Sequence, residues 1–352
     1  MVSAAINGFG RIGRLAMRVW LSRPDLMEKL EIAAINTSGS MPVKGWAHLL
    51  QYDTAYGKLQ EVIRTESVRD PKEVTDQDML IGYFLVKEKK IPVLAQRDPA
   101  KLPWSTFKVD VVIESTGAFT TEALASAHLR AGARKVLISA PSKGGQIGTF
   151  VLGVNEYQGE GGIVDNASCT TNCTAPVVAI LHQRFGIKKA TLTTVHGYTD
   201  DQRLQDNSHK DLRRARAAAQ NIIPTSTGAA ISTTKTIPEL EGLFGGVALR
   251  VPVIVGSISD IVCLVGRKTT VDQVNQAFTE AAADPRWKGI VAVTDEPLVS
   301  SDIIGRSESA IVDLAFTQVV DGDLIKVLAW YDNEWGYCNR LMEQAVKVGE
   351  AQ

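Results

Sequence analysis

Between Asp165 and Pro176 the chain reads Asp-Asn-Ala-Ser-Cys-Thr-Thr-Asn-Cys-Thr-Ala-Pro, which crowds thiols, hydroxyls and amides into one stretch. Cysteine reacts through its thiolate, and the first turn of a helix favours that form because its unpaired N–H groups carry partial positive charge. Ser168 is a good helix cap, and the run Ala175 to Leu181 supplies apolar filling behind it, so the sequence predicts a helix with Cys169 in its first turn. Cys173 follows one turn later. A bare pair of cysteines at that spacing is more often core packing. Here the surrounding Ser, Thr and Asn residues offer hydroxyls and amides to a bound anion. The chemistry expected is attack by the Cys169 sulfur on an electrophilic carbon beside an anion site, with Cys169 low in pKa and exposed.

A thiol nucleophile needs a base or a cation next to it. His196 ends the alternating run Ala190 to His196, just before Gly197. A lone histidine there is usually structural. With a candidate thiolate elsewhere it becomes the expected activator and general base.

A second chemical signal stands at the start of the chain. Val2 to Asn7 is a strand candidate that runs into Gly8-x-Gly10-x-x-Gly13, and Arg11 to Arg23 continues with a helical pattern in Ile12, Leu15, Ala16, Val19 and Trp20. Between strand and helix this glycine pattern is the dinucleotide fingerprint: the glycines permit a tight turn and close backbone approach, and the helix N-terminus holds the pyrophosphate. Asn7, Gly8, Gly10, Arg11, Ile12 and Gly13 are therefore cofactor-binding candidates.

The elements that must position these residues follow in order. Glu31 to Asn36 is the second strand, Val62 to Val86 reads as antiparallel excursions, and Lys89 to Leu94 is a strand closed by a proline-containing loop. Val109 to Glu114 is a buried parallel strand by its β-branched run. It ends at Ser115-Thr116-Gly117, where open α/β sheets bind ligands. Glu122 to Ala131 is a helix, Lys135 to Ser139 a strand, and Phe150 to Val154 with Gly162 to Asn166 finish the sheet. This alternation predicts an α/β, Rossmann-type doubly wound domain over residues 1–168. Residues 169–334 change pattern: the helix Cys169 to Phe185, with Pro176 expected to kink or locally strain it, is followed by runs of strands. They predict an α+β catalytic domain with a mostly antiparallel sheet. Gly197 to Asn221 is a long polar, basic loop carrying Arg203, Lys210, Arg213, Arg214 and Arg216. The segment 335–352 contributes a terminal helix.

Composition bounds the rest. The chain has 352 residues, 45% hydrophobic and 22% charged, enough for two cores. A formal net charge of −1 gives no global field toward nucleic acid or membrane. The start lacks a basic region ahead of an apolar core, and no run of about 18 apolar residues occurs, so a cytoplasmic protein with no membrane partner is expected. Four cysteines in so long a chain do not make a disulfide framework, and without Cys-x-x-Cys no metal site is expected.

The stretch Asn166-Ala167-Ser168-Cys169-Thr170-Thr171-Asn172-Cys173 resembles the active-site signature of the phosphorylating (type I) glyceraldehyde-3-phosphate dehydrogenase family. The likeness covers essentially the whole chain, through Asn7-Gly8-Phe9-Gly10-Arg11-Ile12-Gly13-Arg14, Thr194-Val195-His196, Ile223-Pro224-Thr225-Ser226-Thr227-Gly228-Ala229-Ala230 and Tyr331-Asp332-Asn333-Glu334-Trp335-Gly336-Tyr337. The resemblance implies reversible oxidation of D-glyceraldehyde 3-phosphate to 1,3-bisphosphoglycerate with NAD(P) and inorganic phosphate, through a cysteine thioester. It implies Cys169 and His196 as the catalytic pair, and Thr199, Asp201 and Arg250 at the substrate-phosphate site. Asp201 would there orient an arginine or a hydroxyl. Ser168, Thr170, Thr227, Gly228 and Arg214 fall at the attacking-phosphate site. Asn36, Thr37, Ser38, Arg97, Ser115, Thr116, Gly117, Ser139, Asn333 and Tyr337 fall at the cofactor, Asn333 beside the nicotinamide. A homotetramer is the family expectation, as is a terminal helix packed on the first domain. Alternatives are an erythrose-4-phosphate dehydrogenase and a redox-sensing protein on the same fold.

The cofactor itself is open. An NAD-preferring domain usually carries an acid after the second strand, whereas this chain reads Asn36-Thr37-Ser38-Gly39-Ser40. Thr37 and Ser38 are expected to donate to a 2′-phosphate, and by resemblance to photosynthetic relatives Ser208 from an adjacent subunit adds a hydroxyl. NADP use, or dual use with NAD, is the expectation.

Overall fold

The computed structural model describes residues 1–351. The chain divides into two compact units: the first holds Met1–Phe150, Tyr157–Asn166 and the residues from Cys338 on, the second Val151–Glu156 and Ala167–Tyr337. No helix among the described residues is long and apolar enough to cross a membrane.

The first unit contains β1 (Val2–Asn7), α1 (Arg11–Ser22), α2 (Pro24–Lys29), β2 (Leu30–Thr37), α3 (Val43–Gln51), β3 (Tyr52–Asp53), β4 (Gly57–Lys58), β5 (Arg64–Ser67), β6 (Leu80–Val86) and β7 (Lys89–Ala95). It continues with β8 (Val111–Glu114), α4 (Glu122–Arg130), β9 (Lys135–Ile138), β10 (Gly148–Thr149) and β11 (Ile163–Asp165). Nine strands form one sheet in the order β10-β11-β9-β8-β1-β2-β7-β6-β5. Pairing is parallel from β10 to β7, and only the β7–β6 and β6–β5 pairs at one edge are antiparallel. From β1 the chain first builds outward through β2 and then returns to β8 on the other side, so a topological switch point lies between β1 and β8. Ligands of open α/β sheets bind at such points, beyond the carboxyl ends of the strands. Every residue of β1 and β8 is buried, as expected of parallel strands covered on both faces.

The second unit contains α5 (Cys169–Phe185), β12 (Ile187–Gly197), β13 (Ile223–Ser226), α6 (Ala229–Thr236), β14 (Phe244–Val251), β15 (Ser257–Val265) and α7 (Val271–Ala283). Then come β16 (Val291–Thr294), β17 (Ala310–Val320), β18 (Leu324–Tyr331) and the start of α8 (Trp335–Glu350). Its sheet has the order β13-β14-β12-β15-β18-β17-β16. Four of the six neighbouring pairs are antiparallel; β12 with β14 and β16 with β17 are parallel. Helix α5 lies in the core of this unit through Val177, Val178, Ile180 and Leu181.

One local expectation fails. Phe150 to Val154 is not a strand: the pairing segment is Gly148–Thr149, and Val154 N–H bonds back to Val151 O at 3.0 Å. Gly153 has φ +82°, a turn conformation that a strand cannot contain. Helix α5 is continuous through Pro176 to Phe185.

Candidate active site

Helix α5 begins where its capping chemistry places it. Ser168 Oγ accepts from Thr171 N at 3.0 Å, and the helix ends at Gly186 in the left-handed region with φ +69°. The residue ahead of the cap, Ala167, holds φ +53°, a strained value for a residue with a Cβ. Tyr337 donates its hydroxyl to Ala167 O at 3.1 Å. Cys169 thus enters the first helical turn from a fixed corner.

His196 lies on β12, and its Nε2 is 3.4 Å from Cys169 Sγ. Strand pairing sets its other neighbour: His196 is in register with Arg250 on β14. Arg250 Nη1 lies 2.8 Å from His196 Nδ1 and 3.2 Å from Gly197 O, while Nδ1 is 2.6 Å from that same carbonyl. A carbonyl only accepts and a guanidinium only donates, so these two contacts call for opposite tautomers; with the ring proton on Nδ1, toward the shorter carbonyl contact, Nε2 is an acceptor facing sulfur. Burial, with the Arg250 charge second, lowers the His196 pKa to about 3, so the ring is neutral near pH 7.

The expectation of a low-pKa, exposed Cys169 is corrected here. Cys169 is half-buried, and desolvation pushes its thiol up, with Arg250 and hydrogen bonds at the helix start opposing. The helix N-terminus does not outweigh the loss of water. His196 Nε2, 3.4 Å away, is the group in reach of the Cys169 proton. Access still distinguishes Cys169: Cys173, Cys263 and Cys338 are fully buried, and burial pushes Cys173 and Cys263 up to about 12. Peroxide is expected to oxidise Cys169 first, and faster as pH rises. Peptide mapping that found Cys263 or Cys338 oxidised ahead of Cys169 would refute this order.

Around the pair stand the candidate anion ligands. Asp201 accepts from the Thr199 hydroxyl and from Arg214 Nη1, the latter at 2.6 Å. Arg214 Nε donates to Thr225 Oγ1 at 3.0 Å, and the Thr225 hydroxyl donates to Asp211 at 2.7 Å. Arg250 Nε is buried with no protein partner. Gly228 precedes α6 with nothing within 4 Å of where a Cβ would stand, and Thr227 Oγ1 accepts from Ala229 N. Thr170 differs from expectation: it is buried, and its hydroxyl pairs with Tyr331 OH at 2.9 Å, so only its backbone can face an anion.

Two residues of this unit escaped the sequence reading. Tyr331 OH also pairs with Thr194 Oγ1 at 2.8 Å, and its ring meets the His196 ring edge-on at 6.0 Å between centroids. One hydroxyl therefore joins the residue after Cys169 to the strand that carries His196. We expect Tyr331→Phe to lower kcat by about tenfold with little change in KM, since a small misplacement of a catalytic pair is costly. Wild-type kcat in that variant would count against the bridge. Ser257 is the other: it accepts from Gly197 N at 3.2 Å and donates to Asn333 Oδ1 at 2.9 Å. Gly256 N also bonds Asn333 Oδ1, which leaves the Asn333 amide nitrogen as the group it can offer. No sequence spacing signals either contact.

The cofactor candidates of the first unit fall into two groups. Gly8, Gly10 and Gly13 form the turn from β1 into α1, and Gly10 caps α1 without a side-chain bond. A Cβ on Gly13 would lie 2.1 Å from Gly8 O, and one on Gly8 2.6 Å from Thr116 N, so both positions require glycine. Open space faces Gly10 and Gly117. Arg11, beside the turn, bonds Asp53 at 2.5 Å. Ser115 Oγ has no protein hydrogen-bond partner at the end of β8, and Ser139 N–H bonds Glu114 O. This set of helix N–H groups, close-approach glycines and an orphaned hydroxyl fits a dinucleotide diphosphate. Ile12 is partly buried in the first turn of α1 and Arg97 is exposed in the loop after β7.

The side chains of Asn7, Asn36 and Thr37 turn inward. Asn7 and Asn36 are buried and bond one another, and Thr37 is buried with its hydroxyl donating to Leu94 O at 3.0 Å. The Thr37 proton is thus committed to the sheet and not to a 2′-phosphate. Ser38 remains exposed, paired with Ser40 at 2.9 Å. Ser208, in the second unit, is exposed in its loop, where its backbone bonds Asn207 and Arg203.

Comparison with known proteins points to one family. Residues 2–122 match the family model for the glyceraldehyde 3-phosphate dehydrogenase NAD binding domain, and residues 168–333 match that for its C-terminal domain. The chain is 48% identical to glyceraldehyde-3-phosphate dehydrogenase A, chloroplastic, of Chlamydomonas reinhardtii over 346 residues, 98% of this chain and 88% of the relative. It is 48% identical to glyceraldehyde-3-phosphate dehydrogenase of Streptomyces coelicolor over 352 residues, 99% of this chain and 98% of the relative. The same identity holds with glyceraldehyde-3-phosphate dehydrogenase 2 of a Synechocystis species, over 99% of both chains.

Proposed function

Because the chain belongs to the glyceraldehyde 3-phosphate dehydrogenase family, we propose that it oxidises D-glyceraldehyde 3-phosphate with NAD(P) and inorganic phosphate to 1,3-bisphosphoglycerate. The observation that carries the chemistry is the Cys169 Sγ to His196 Nε2 contact of 3.4 Å, with the ring neutral. Cys169 adds to the aldehyde carbon as its proton passes to His196 Nε2, which returns it to the former carbonyl oxygen and so gives a thiohemiacetal on sulfur. Deprotonated again, His196 takes the thiohemiacetal hydroxyl proton in the oxidation. Bound NAD(P)⁺ supplies the hydride acceptor that this oxidation requires. The resulting Cys169 thioester is cleaved by phosphate oxygen, which forms the acyl phosphate and returns the sulfur.

Arg250, Thr199 and Arg214 are the donors for the two phosphates, and Asp201 holds Thr199 and Arg214 in place. Ser168, Thr170, Thr227 and Gly228 complete the attacking-phosphate set through hydroxyl and backbone donors. Residues 1–168 with 335–352 serve as the cofactor domain and residues 169–334 as the catalytic domain. A homotetramer in which Ser208 of one copy serves the cofactor of another follows the family resemblance, as does a place in central carbon metabolism.

The test is NAD(P)H formation from glyceraldehyde 3-phosphate that depends on added phosphate. A pure redox sensor would show none, and an erythrose-4-phosphate enzyme would prefer the longer sugar. On the cofactor, the absence of an acid after β2 removes repulsion of a 2′-phosphate, so we expect use of NADP alongside NAD. With Thr37 facing inward, Ser38→Asp is the informative change; it should move the kcat/KM ratio toward NAD by about tenfold or more. A wild type that prefers NAD by about 100-fold, roughly 2.7 kcal/mol, would overturn the expectation.

A further inference from the structure

Beneath the dinucleotide turn lies a buried Glu–His pair that the reaction does not use. Strand register puts Asn7 beside Asn36 on β2 and beside Glu114 on β8. Asn36 Nδ2 donates to Asn7 Oδ1 at 2.7 Å, and Asn7 Nδ2 donates to Glu114 Oε2 at 2.5 Å. His128 Nε2, from α4, is 3.0 Å from the same oxygen, and both side chains of this pair are 0% exposed. The ring tautomer follows from its far side. Trp104 Nε1 lies 3.0 Å from His128 Nδ1; indole only donates, so Nδ1 accepts and the ring proton sits on Nε2, facing Glu114. The other carboxylate oxygen, Oε1, accepts from Thr116 N at 2.7 Å and from the Thr116 hydroxyl. Donors from Asn7, His128 and Thr116 converge on two oxygens, an arrangement that a carboxylate satisfies and an amide does not.

The segments so joined are the two cofactor loops. Asn7 leads into Gly8, Thr116 belongs to Ser115–Gly117, and a Cβ on Gly8 would lie 2.6 Å from Thr116 N. We propose that Glu114, oriented by His128, is a positioning residue for the cofactor: its carboxylate fixes the Asn7–Gly8 corner against the Ser115–Gly117 loop, and so sets the backbone that receives the dinucleotide. The proposal rests on the reading of this unit as the NAD(P) site. It also explains why Asn7 and the Thr116 hydroxyl, although beside the site, point into the protein.

The test uses the full chain. Glu114→Gln replaces an acceptor with a donor amide, so one of the convergent N–H or O–H groups must face another donor. Its Kd for NAD and for NADP, titrated by tryptophan fluorescence, is expected to rise about tenfold or more. Alkylation of Cys169 by iodoacetamide without cofactor should keep the wild-type rate. The double variant Glu114→Gln with Asn7→Asp exchanges donor and acceptor across the 2.5 Å bond. It also offers His128 Nε2 a carboxylate oxygen in place of the Asn7 amide nitrogen 3.4 Å away, and should recover most of the affinity. An unchanged Kd in Glu114→Gln, or a loss that the exchange does not repair, overturns the proposal. Should Glu114→Gln not fold, His128→Gln takes its place: a Kd weakened about threefold or more supports the role, and a wild-type Kd overturns it. Wild-type turnover with glyceraldehyde 3-phosphate and phosphate is assayed alongside; its failure would remove the assigned reaction while leaving the binding comparison intact.

Discussion

Cys169→Ser is expected to abolish phosphate-dependent aldehyde oxidation, by about 10⁴-fold or more in kcat, while NAD(P) still binds with wild-type affinity. The reason lies in the proton. Desolvation already opposes the Cys169 thiolate, and the ring beside it is a weak base whose pKa is held at about 3. A thiol can still give up its proton as bonding to carbon develops; an alcohol in the same place is a far poorer acid and cannot. The serine hydroxyl fits the 3.4 Å space to His196 Nε2, so lost activity would report chemistry, not shape. Trapping radiolabelled acyl-enzyme from the substrate, with cofactor titration in parallel, measures both halves of this expectation. Substantial turnover by the serine variant would sink the assignment of Cys169.

His196→Asn is expected to slow the same reaction by about 10²–10⁴-fold, the usual contribution of a positioned general base. A rate within about a factor of two of wild type would exclude that role. With His196 proposed to draw the proton from sulfur, the variant should also need higher pH for alkylation of Cys169. Stability gives an independent check. The folded-state pKa of His196 lies near 3, below the ordinary 6.5, owing to burial and then to Arg250. The unfolded chain therefore binds more protons than the folded one between these values. Stability from the neutral ring is present above about pH 6.5 and is lost as pH falls toward 3. Between about pH 6.5 and 5, where most carboxylates stay ionised, the wild-type urea midpoint should fall with pH and that of His196→Asn should fall less. Equal slopes would mean that the ring is not held neutral.

Residue types and local order alone determined the glycine turn, the cap that starts α5 and the family. Gly8, Gly10 and Gly13 between strand and helix, and Ser168 ahead of Cys169, are local signals, because helix caps and tight turns depend on residues a few positions apart. The alternation of strands and helices likewise made the doubly wound first sheet legible, since side-chain period follows local backbone geometry. What tertiary structure alone decided is which way each polar side chain turns and what it meets. Thr37 looked like a phosphate donor, yet β2 pairs with β7 and gives its proton to Leu94 O. Thr170 looked like an anion ligand, yet Tyr331, 161 residues away, takes its hydroxyl. Cys169 looked acidic from its place at a helix start, but desolvation by the folded chain acts more strongly than that terminus. Register between β12 and β14 sets Arg250 against His196, and register among β2, β1 and β8 assembles Asn36, Asn7 and Glu114. Strand register and burial are long-range properties: they depend on which distant segments pair, and no spacing within the sequence encodes the partner of a single hydroxyl or carboxylate.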